Sequence, residues 1–307
     1  MPNLKEPTIF APMQAKKLLG IILAIASAVS YGLIPLFILP IKNAGISMDL
    51  TLFYRFTFSA IIILGYLLVK RISLRLSKSD LMKVIILGII YSLSSEFLFW
   101  GYDVMSAGIA STVLYIYPMV VAVIMFVLFK EKISKSTMYS IILALIGVAA
   151  LSIKKDSMEF NFLGFGVVML SALAYSSYMV MISKGNLEAE GYKVTFYSLF
   201  FSALYYLIKS SFTTDSFALP SPSIYGHIAL FAFVTTVISV LCLVYAIQFV
   251  GSTTTAVLGA VEPVVAVAIS VVLFGEELTV NLIIGVVIVI AALMVNVIGE
   301  AISSKKK

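Results

Sequence analysis

Glu262 is the residue of this chain whose surroundings most demand a chemical explanation, because it lies mid-way along an apolar run of about 253 to 274. An ionised carboxylate inside a bilayer is costly enough that it must find a partner, reach water or take up a proton. Pro263 follows it and cannot donate a backbone hydrogen bond to the preceding turn, so a bend and a cavity are expected at that depth. Thr255, Gly259, Glu262, Ala266 and Ser270 follow spacings of 4, 3, 4 and 4, one stripe of small and polar groups on a helix. Two readings follow for Glu262: a binding group for a proton or a cationic solute, or a protonated carboxyl bonded to a neighbouring helix.

Arg55 and Glu96 fall roughly 10 Å below the same surface by the helical rise per residue, on consecutive apolar segments. Equal depth predicts an ion pair or gate on the outer side; direct binding of a substrate carboxylate by Arg55 is the other reading. Tyr31, Tyr115, Tyr117 and Tyr175, with Phe99, Trp100 and Tyr102, could wall an apolar or cationic ligand, or serve as packing groups and interfacial anchors. Ser92 shares a helix face with Glu96, and Ser171, Tyr175 and Tyr178 share another, which makes both stripes pocket candidates. Pro118, beside Tyr117, is a second expected kink.

Other chemistries lack their residues. His227 is the single histidine and Cys242 the single cysteine, and neither a Walker-type Gly-Lys-Ser/Thr nor a Gly-Xaa-Ser-Xaa-Gly motif is present. Metal sites, cofactors, ATP hydrolysis and serine catalysis are not expected. Glu131 and Glu276 precede Ser134 and Thr279 by three residues at helix starts, where hydroxyls cap exposed N–H groups and acids complement the dipole.

The elements that must carry these residues are membrane helices. The chain of 307 residues is 61% hydrophobic and 12% charged, with mean hydropathy +1.10, more apolar surface than one water-soluble core can hide. Spans are predicted near 18–39, 48–69, 81–102, 108–129, 135–153, 162–183, 194–210, 226–248, 253–274 and 280–299. The first run is long enough to cross a membrane and has an internal counterpart near Phe162, so it is read as a retained helix rather than a cleaved signal.

That counterpart belongs to a duplication. Gly20, Ser27, Ala28 and Tyr31 recur 144 positions later as Gly164, Ser171, Ala172 and Tyr175. Phe53, Tyr54, Phe58, Ser59 and Ala60 recur 143 later as Phe196, Tyr197, Phe201, Ser202 and Ala203, and Pro118, Leu128, Phe129 and Glu131 recur 145 later as Pro263, Leu273, Phe274 and Glu276. Tyr117 and Glu262 are then repeat partners, as are Arg55 and Ser198.

Sixteen Lys and Arg fall on the side of the N-terminus, the Lys70–Lys83, Lys130–Lys135 and Lys184–Lys193 connections and the Lys305–Lys307 tail, against Lys42, Lys154, Lys155 and Lys209 on the other, so both termini are expected in the cytoplasm. The net charge of +6 is mostly this bias and needs no nucleic acid to explain it. Five spans per copy is odd, so the second copy should cross the membrane upside down. Such halves can exchange conformations and expose a central site alternately to each side, which is the physical case for a carrier.

Tyr54-Arg55-Phe56, Pro118 with Leu128-Phe129-Lys130-Glu131-Lys132-Ile133-Ser134, and Glu262-Pro263 with Leu273-Phe274-Gly275-Glu276-Glu277-Leu278-Thr279 resemble the EamA-type ten-helix members of the drug/metabolite transporter superfamily. The resemblance implies a carrier, often an exporter, of amino acids, metabolites or drug-like molecules, with a cavity lined mainly by spans one, three, four, six, eight and nine. The first copy departs from the usual Gly-Glu with Lys130-Glu131.

The expected protein is therefore all-α and polytopic, with ten transmembrane helices in two inverted five-helix repeats, 18–153 and 162–299. These are joined by an external connection at 154–161 and flanked by cytoplasmic tails at 1–17 and 300–307. Its partners are the lipid bilayer, a small-molecule substrate and protons as coupling ion, with no nucleic acid; it is a monomer or homodimer in the inner membrane. Export of amino acids or related metabolites is expected, with uptake or exchange as the alternative, and a non-transporting receptor or structural protein as a further one. The substrate-binding set is Glu262, Tyr117, Tyr115, Trp100, Glu96, Ser92, Tyr31, Tyr175, Tyr178, Thr255 and Gly259.

Overall fold

The computed structural model describes residues 13–104, 110, 113–152, 162–213, 217–218, 221–274 and 279–305. Lys5, Lys154, Lys155, Glu276, Glu277, Lys306 and Lys307 lie outside the described residues, as do the side chains of Ala266 and Ser270. Among the described residues the chain is helical with no strand. The elements are α1 (Met13–Gly32), α2 (Ile34–Asn43), α3 (Met48–Val69), α4 (Lys78–Val104), α5 (Tyr117–Phe129) and α6 (Lys135–Ser152). They continue as α7 (Phe162–Lys184), α8 (Gly191–Thr213), α9 (Pro222–Ala232), a π-helical segment (Phe233–Ile238), α10 (Ser239–Leu258), α11 (Val261–Phe274) and α12 (Val280–Lys305).

Among the described residues five helical stretches are long and apolar enough to cross a membrane: Ala15–Ile38, Met48–Val69, Lys78–Val104, Phe162–Lys184 and Pro222–Leu258. Tyr117–Phe129, Lys135–Gly147 and Ile283–Asn296 are shorter apolar helices. The expected spans are modified by breaks. The first is interrupted at Leu33 and resumes to Asn43, and the ninth is cut at Gly259 and Ala260. The fourth turns at Tyr115 and Ile116 before α5 begins. Gly251 (φ 81°) breaks the helix within α10 and separates the eighth crossing from the ninth.

The helices pack mainly across the repeat boundary. α1 lies on α10, as its repeat mate α7 lies on α4; α5 meets α7, as α11 meets α1; α4 meets α8, as α9 and the π segment meet α3. α3 packs on its own mate α8, and α6 on its mate α12. These contacts thus have counterparts under exchange of the halves, the signature of a pseudo-twofold axis.

The mates run antiparallel. Along α3 and α8, Asp49 meets Lys209 at 2.8 Å, Phe56 stacks on Tyr206 at 5.6 Å, and beyond α3 the Leu74 carbonyl accepts from Tyr197 Oη at 2.5 Å. Along α6 and α12, Ser136 Oγ donates to the Val295 carbonyl at 2.9 Å, whereas Gly147 faces Val289 and the Gly285 carbonyl. The chain entering α12 therefore emerges at the opposite end from the Lys130–Ser134 connection. Inversion follows from the coordinates as well as from the odd count.

At the closest helix crossings there is room only for small groups. At Gly88 an added Cβ would lie 2.6 Å from Phe201 Cβ and 2.8 Å from the Ser198 carbonyl. Close approach gains dispersion contacts that a lipid-solvated interface cannot obtain from the hydrophobic effect. Capping is local: Ser134 Oγ accepts from Thr137 N at 3.0 Å, the cap expected from sequence, and Lys130 ends α5 in the left-handed region at φ 55°.

Candidate functional site

Two broken spans meet at the pseudo-twofold axis. The break at Tyr115 and Ile116 and the break at Gly259 and Ala260 are 144 residues apart, so the duplication includes the interruption itself. Pro118 and Pro263 sit in the first turn of α5 and α11, where a missing N–H costs nothing, rather than in the middle of a bent helix. The expected kinks are full breaks. At the second break the carbonyls of the preceding turn keep only tightened backbone bonds, Gly259 N to Ala256 and Ala260 N to Val257, both at 3.1 Å, and side-chain donors supplement them in the apolar interior. Tyr115 Oη donates to the Val257 carbonyl at 3.1 Å and Tyr117 Oη to the Ala256 carbonyl at 3.2 Å, while the Ser176 hydroxyl is shared between the carbonyls of Ala172 at 2.7 Å and Tyr117 at 3.1 Å.

Beside these breaks lies a cavity lined by Ala24, Ser27, Ala28 and Tyr31 of α1, Tyr117 of α5, Tyr175 of α7, and Leu243, Thr255, Gly259 and Glu262. It contains two repeat-related pairs, Tyr31 with Tyr175 and Tyr117 with Glu262, so it straddles the axis. Its empty volume is about 240 Å³, part of it open to the outside, and it is too constricted to admit more than roughly one water.

The walls are rings. Tyr117 meets Tyr175 edge-to-face at 5.0 Å and Tyr115 at 5.5 Å. Thr255 Oγ1 donates back to the Gly251 carbonyl at 2.8 Å, and Ser27 Oγ shares a 3.2 Å hydrogen bond with Ser239 Oγ. The Glu262 side chain is partly exposed to the cavity, and among the described residues its carboxyl has no hydrogen-bond or ion-pair partner. The Tyr117 hydroxyl presses against Gly259, where any Cβ would collide with it. Gly259→Ala is expected to push Tyr117 off the Ala256 carbonyl and cost about 1–3 kcal/mol, read as a lower thermal midpoint of the purified protein; an unchanged midpoint would mean the ring moves freely.

Six of the eleven expected binding residues are brought together here: Tyr31, Tyr117, Tyr175, Thr255, Gly259 and Glu262. The other five stand elsewhere. Tyr115 is buried and caps Val257 as described. Trp100 is 46% exposed on the outside of the bundle. Tyr178 is buried against Tyr91 at 4.9 Å, one helical turn from Tyr175 but off the cavity. Ser92 and Glu96 do share a face, but with Gly88 that face packs on α8. Tyr206 Oη donates to the Ser92 carbonyl at 3.0 Å and Tyr205 Oη donates to the Glu96 carboxylate.

The expected Arg55–Glu96 pair does not form. Depth was equal, but α8 stands between α3 and α4 and takes each one's partner-facing side. Glu96 instead pairs with Lys209 at 2.9 Å, and Lys209 also holds Asp49 at 2.8 Å. Arg55, 1% exposed, turns the other way. Its Nε donates to Thr236 Oγ1 at 2.6 Å and its Nη2 to the Thr235 carbonyl at 3.4 Å, with the guanidinium 4.7 Å from the Phe231 ring centroid and 5.6 Å from that of Tyr31.

The π segment explains this placement. Its wider turns leave carbonyls that the helix itself satisfies poorly. Ser59 Oγ reaches the Ala232 carbonyl at 3.3 Å, Ser30 Oγ donates to the Val234 carbonyl, and Arg55 holds Thr235 and Thr236. Sequence reasoning missed this, as well as Ala24, Ser27, Ala28 and Leu243 in the cavity. The spacing of Ala24, Ser27, Ala28 and Tyr31 (3, 1 and 3) places them on one face of α1, a signal that was present.

The sequence profile of the EamA-like transporter family matches residues 18–153 and again residues 162–298. An uncharacterized transporter from Clostridium kluyveri is 27% identical over 177 residues, covering 54% of this chain and 56% of that protein; the chain thus spans about half the length of this curated relative. A crystal structure of a protein with 15% identity superposes at TM-score 0.74, covering 90% of this chain and 95% of that one, which speaks for the fold alone. With two copies of the profile laid over the two inverted, interleaved repeats, the chain belongs to the EamA-like transporter family.

Proposed function

We propose that this protein is a secondary transporter that carries small organic metabolites, amino acids or related compounds, outward across the inner membrane by alternating access. Ten crossings in two inverted halves, 18–153 and 162–299, provide the exchange of conformations, with the 154–161 connection outside and both tails in the cytoplasm. One observation carries the reading: a cavity on the pseudo-twofold axis, walled by residues of both repeats, with an unpartnered carboxyl among tyrosines. A packing carboxyl bonded to a neighbouring helix would have filled its hydrogen bonds, and Glu262 has not.

Basic connections that gather at one end support the orientation. Lys184 pairs with Glu131 at 2.6 Å, and Lys83 reaches the Asn186 carbonyl at 2.7 Å, so three Lys-bearing connections lie at one end of the bundle, which the charge rule favours as the cytoplasmic end. Glu262 is the proton-coupling group in this reading. The test is a panel of amino acids and related metabolites screened for thermal stabilisation of the purified protein, followed by counterflow in proteoliposomes with and without a pH gradient. A stabilising solute that is also exchanged supports the carrier; no exchange of any stabilising solute rejects it.

A further inference from the structure

The cavity holds one carboxylate, three tyrosine faces and two hydroxyls, and among the described residues lining it there is no Lys, Arg or His. We propose that the site recognises a protonated organic amine through Glu262 and the rings of Tyr31, Tyr117 and Tyr175, and that a free carboxylate on the substrate weakens binding. The inference rests on the carrier reading above and narrows its substrate class.

The decisive geometry is that of the nearest cation. Arg55 lies behind Tyr31, 5.6 Å from its ring centroid, and could in principle have received a substrate carboxylate. Two of its donors are turned onto the π segment, with Thr236 Oγ1 at 2.6 Å and the Thr235 carbonyl at 3.4 Å, its side chain also hydrogen-bonds Tyr31, and its face is covered by Phe231 at 4.7 Å. Arg55 does not line the cavity. The hydroxyls of Tyr117 and Thr255, which could otherwise solvate an anion, already donate to the Ala256 and Gly251 carbonyls. What remains facing the space is a carboxylate without a hydrogen-bonded or ion-paired partner, the Tyr31 and Tyr175 hydroxyls and the negative faces of aromatic rings, of which the carboxylate and the rings are complementary to an ammonium group. A carboxylate brought into the same space would meet Glu262 as a like charge with only neutral hydroxyls to receive it, and that juxtaposition is unfavourable in a desolvated site.

The test is a series on one carbon skeleton: isopentylamine, leucine methyl ester, leucine and 4-methylpentanoate, each titrated against the full-length wild-type protein by thermal shift and then used as counterflow substrate. The amine and the ester are expected to bind at least ~10-fold more tightly than leucine, and the acid not at all. Glu262→Gln is expected to weaken amine binding by ~30-fold or more, and Tyr31→Leu by more than Tyr31→Phe. Because the comparison among ligands needs only the wild-type protein, it stands even if a variant fails to fold. Leucine binding as tightly as its ester overturns the proposal while leaving the carrier reading intact, since leucine would then be bound and exchanged. Failure of all four compounds to bind overturns the proposal as well; if the wider metabolite panel also yields no exchanged solute, the carrier reading falls with it.

Discussion

Glu262→Gln is expected to leave a folded, membrane-inserted protein whose counterflow falls by ~30-fold or more and no longer responds to a pH gradient. Gln has nearly the same shape, so packing around α11 is retained and only the ionisable oxygen is lost. The carboxyl has no partner to strand, so thermal stability should hold or rise slightly. This combination separates a working group from a packing group: a helix-packing carboxyl, once replaced, should cost stability and spare transport. Wild-type flux that still follows the pH gradient in Glu262→Gln would remove this residue from the mechanism.

Arg55→Ala should produce the opposite pattern, a stability loss of about 3 kcal/mol or more, visible as a lower thermal midpoint in detergent. The substitution leaves the Thr235 carbonyl and the Thr236 hydroxyl without their charged donor and empties the space against Phe231, two costs that add in a buried site. Arg55→Lys keeps the charge but not the planar fork that engages two acceptors, so it should recover only part of the loss. An Arg55→Ala protein as stable as wild type would mean that the π segment is satisfied without it.

Much of this architecture could be read in the residues because membrane insertion turns composition into geometry. Apolar length located most helices to within a few residues: α3 occupies Met48–Val69 as expected. The duplication was legible through Tyr31 and Tyr175, and through Pro118 and Pro263, because an axis-lining position must be filled twice. Glu262 stood out because charge at that depth is expensive. Lateral neighbours were not legible. Ser92 and Glu96 do form a stripe, but hydropathy cannot say that α8 rather than the centre faces it, since a helix interface in lipid has no apolar signature of its own. For the same reason Arg55 and Glu96, equal in depth, were paired with each other when α8 lay between them. The π segment was invisible because its φ and ψ angles are close to those of an α-helix and no residue type demands it; Thr235 and Thr236 in an apolar run were its only trace.

The central claim is that inverted halves expose one axial cavity to each side in turn. It is tested most directly by placing a thiol in that cavity, Ala28→Cys in a Cys242→Ala background, in sealed right-side-out and inside-out vesicles treated with a membrane-impermeant maleimide. The account predicts labelling from both sides, with a solute that is exchanged shifting the ratio in opposite senses in the two vesicle types. A thiol that is labelled from one side only, whatever solute or pH gradient is applied, would contradict it.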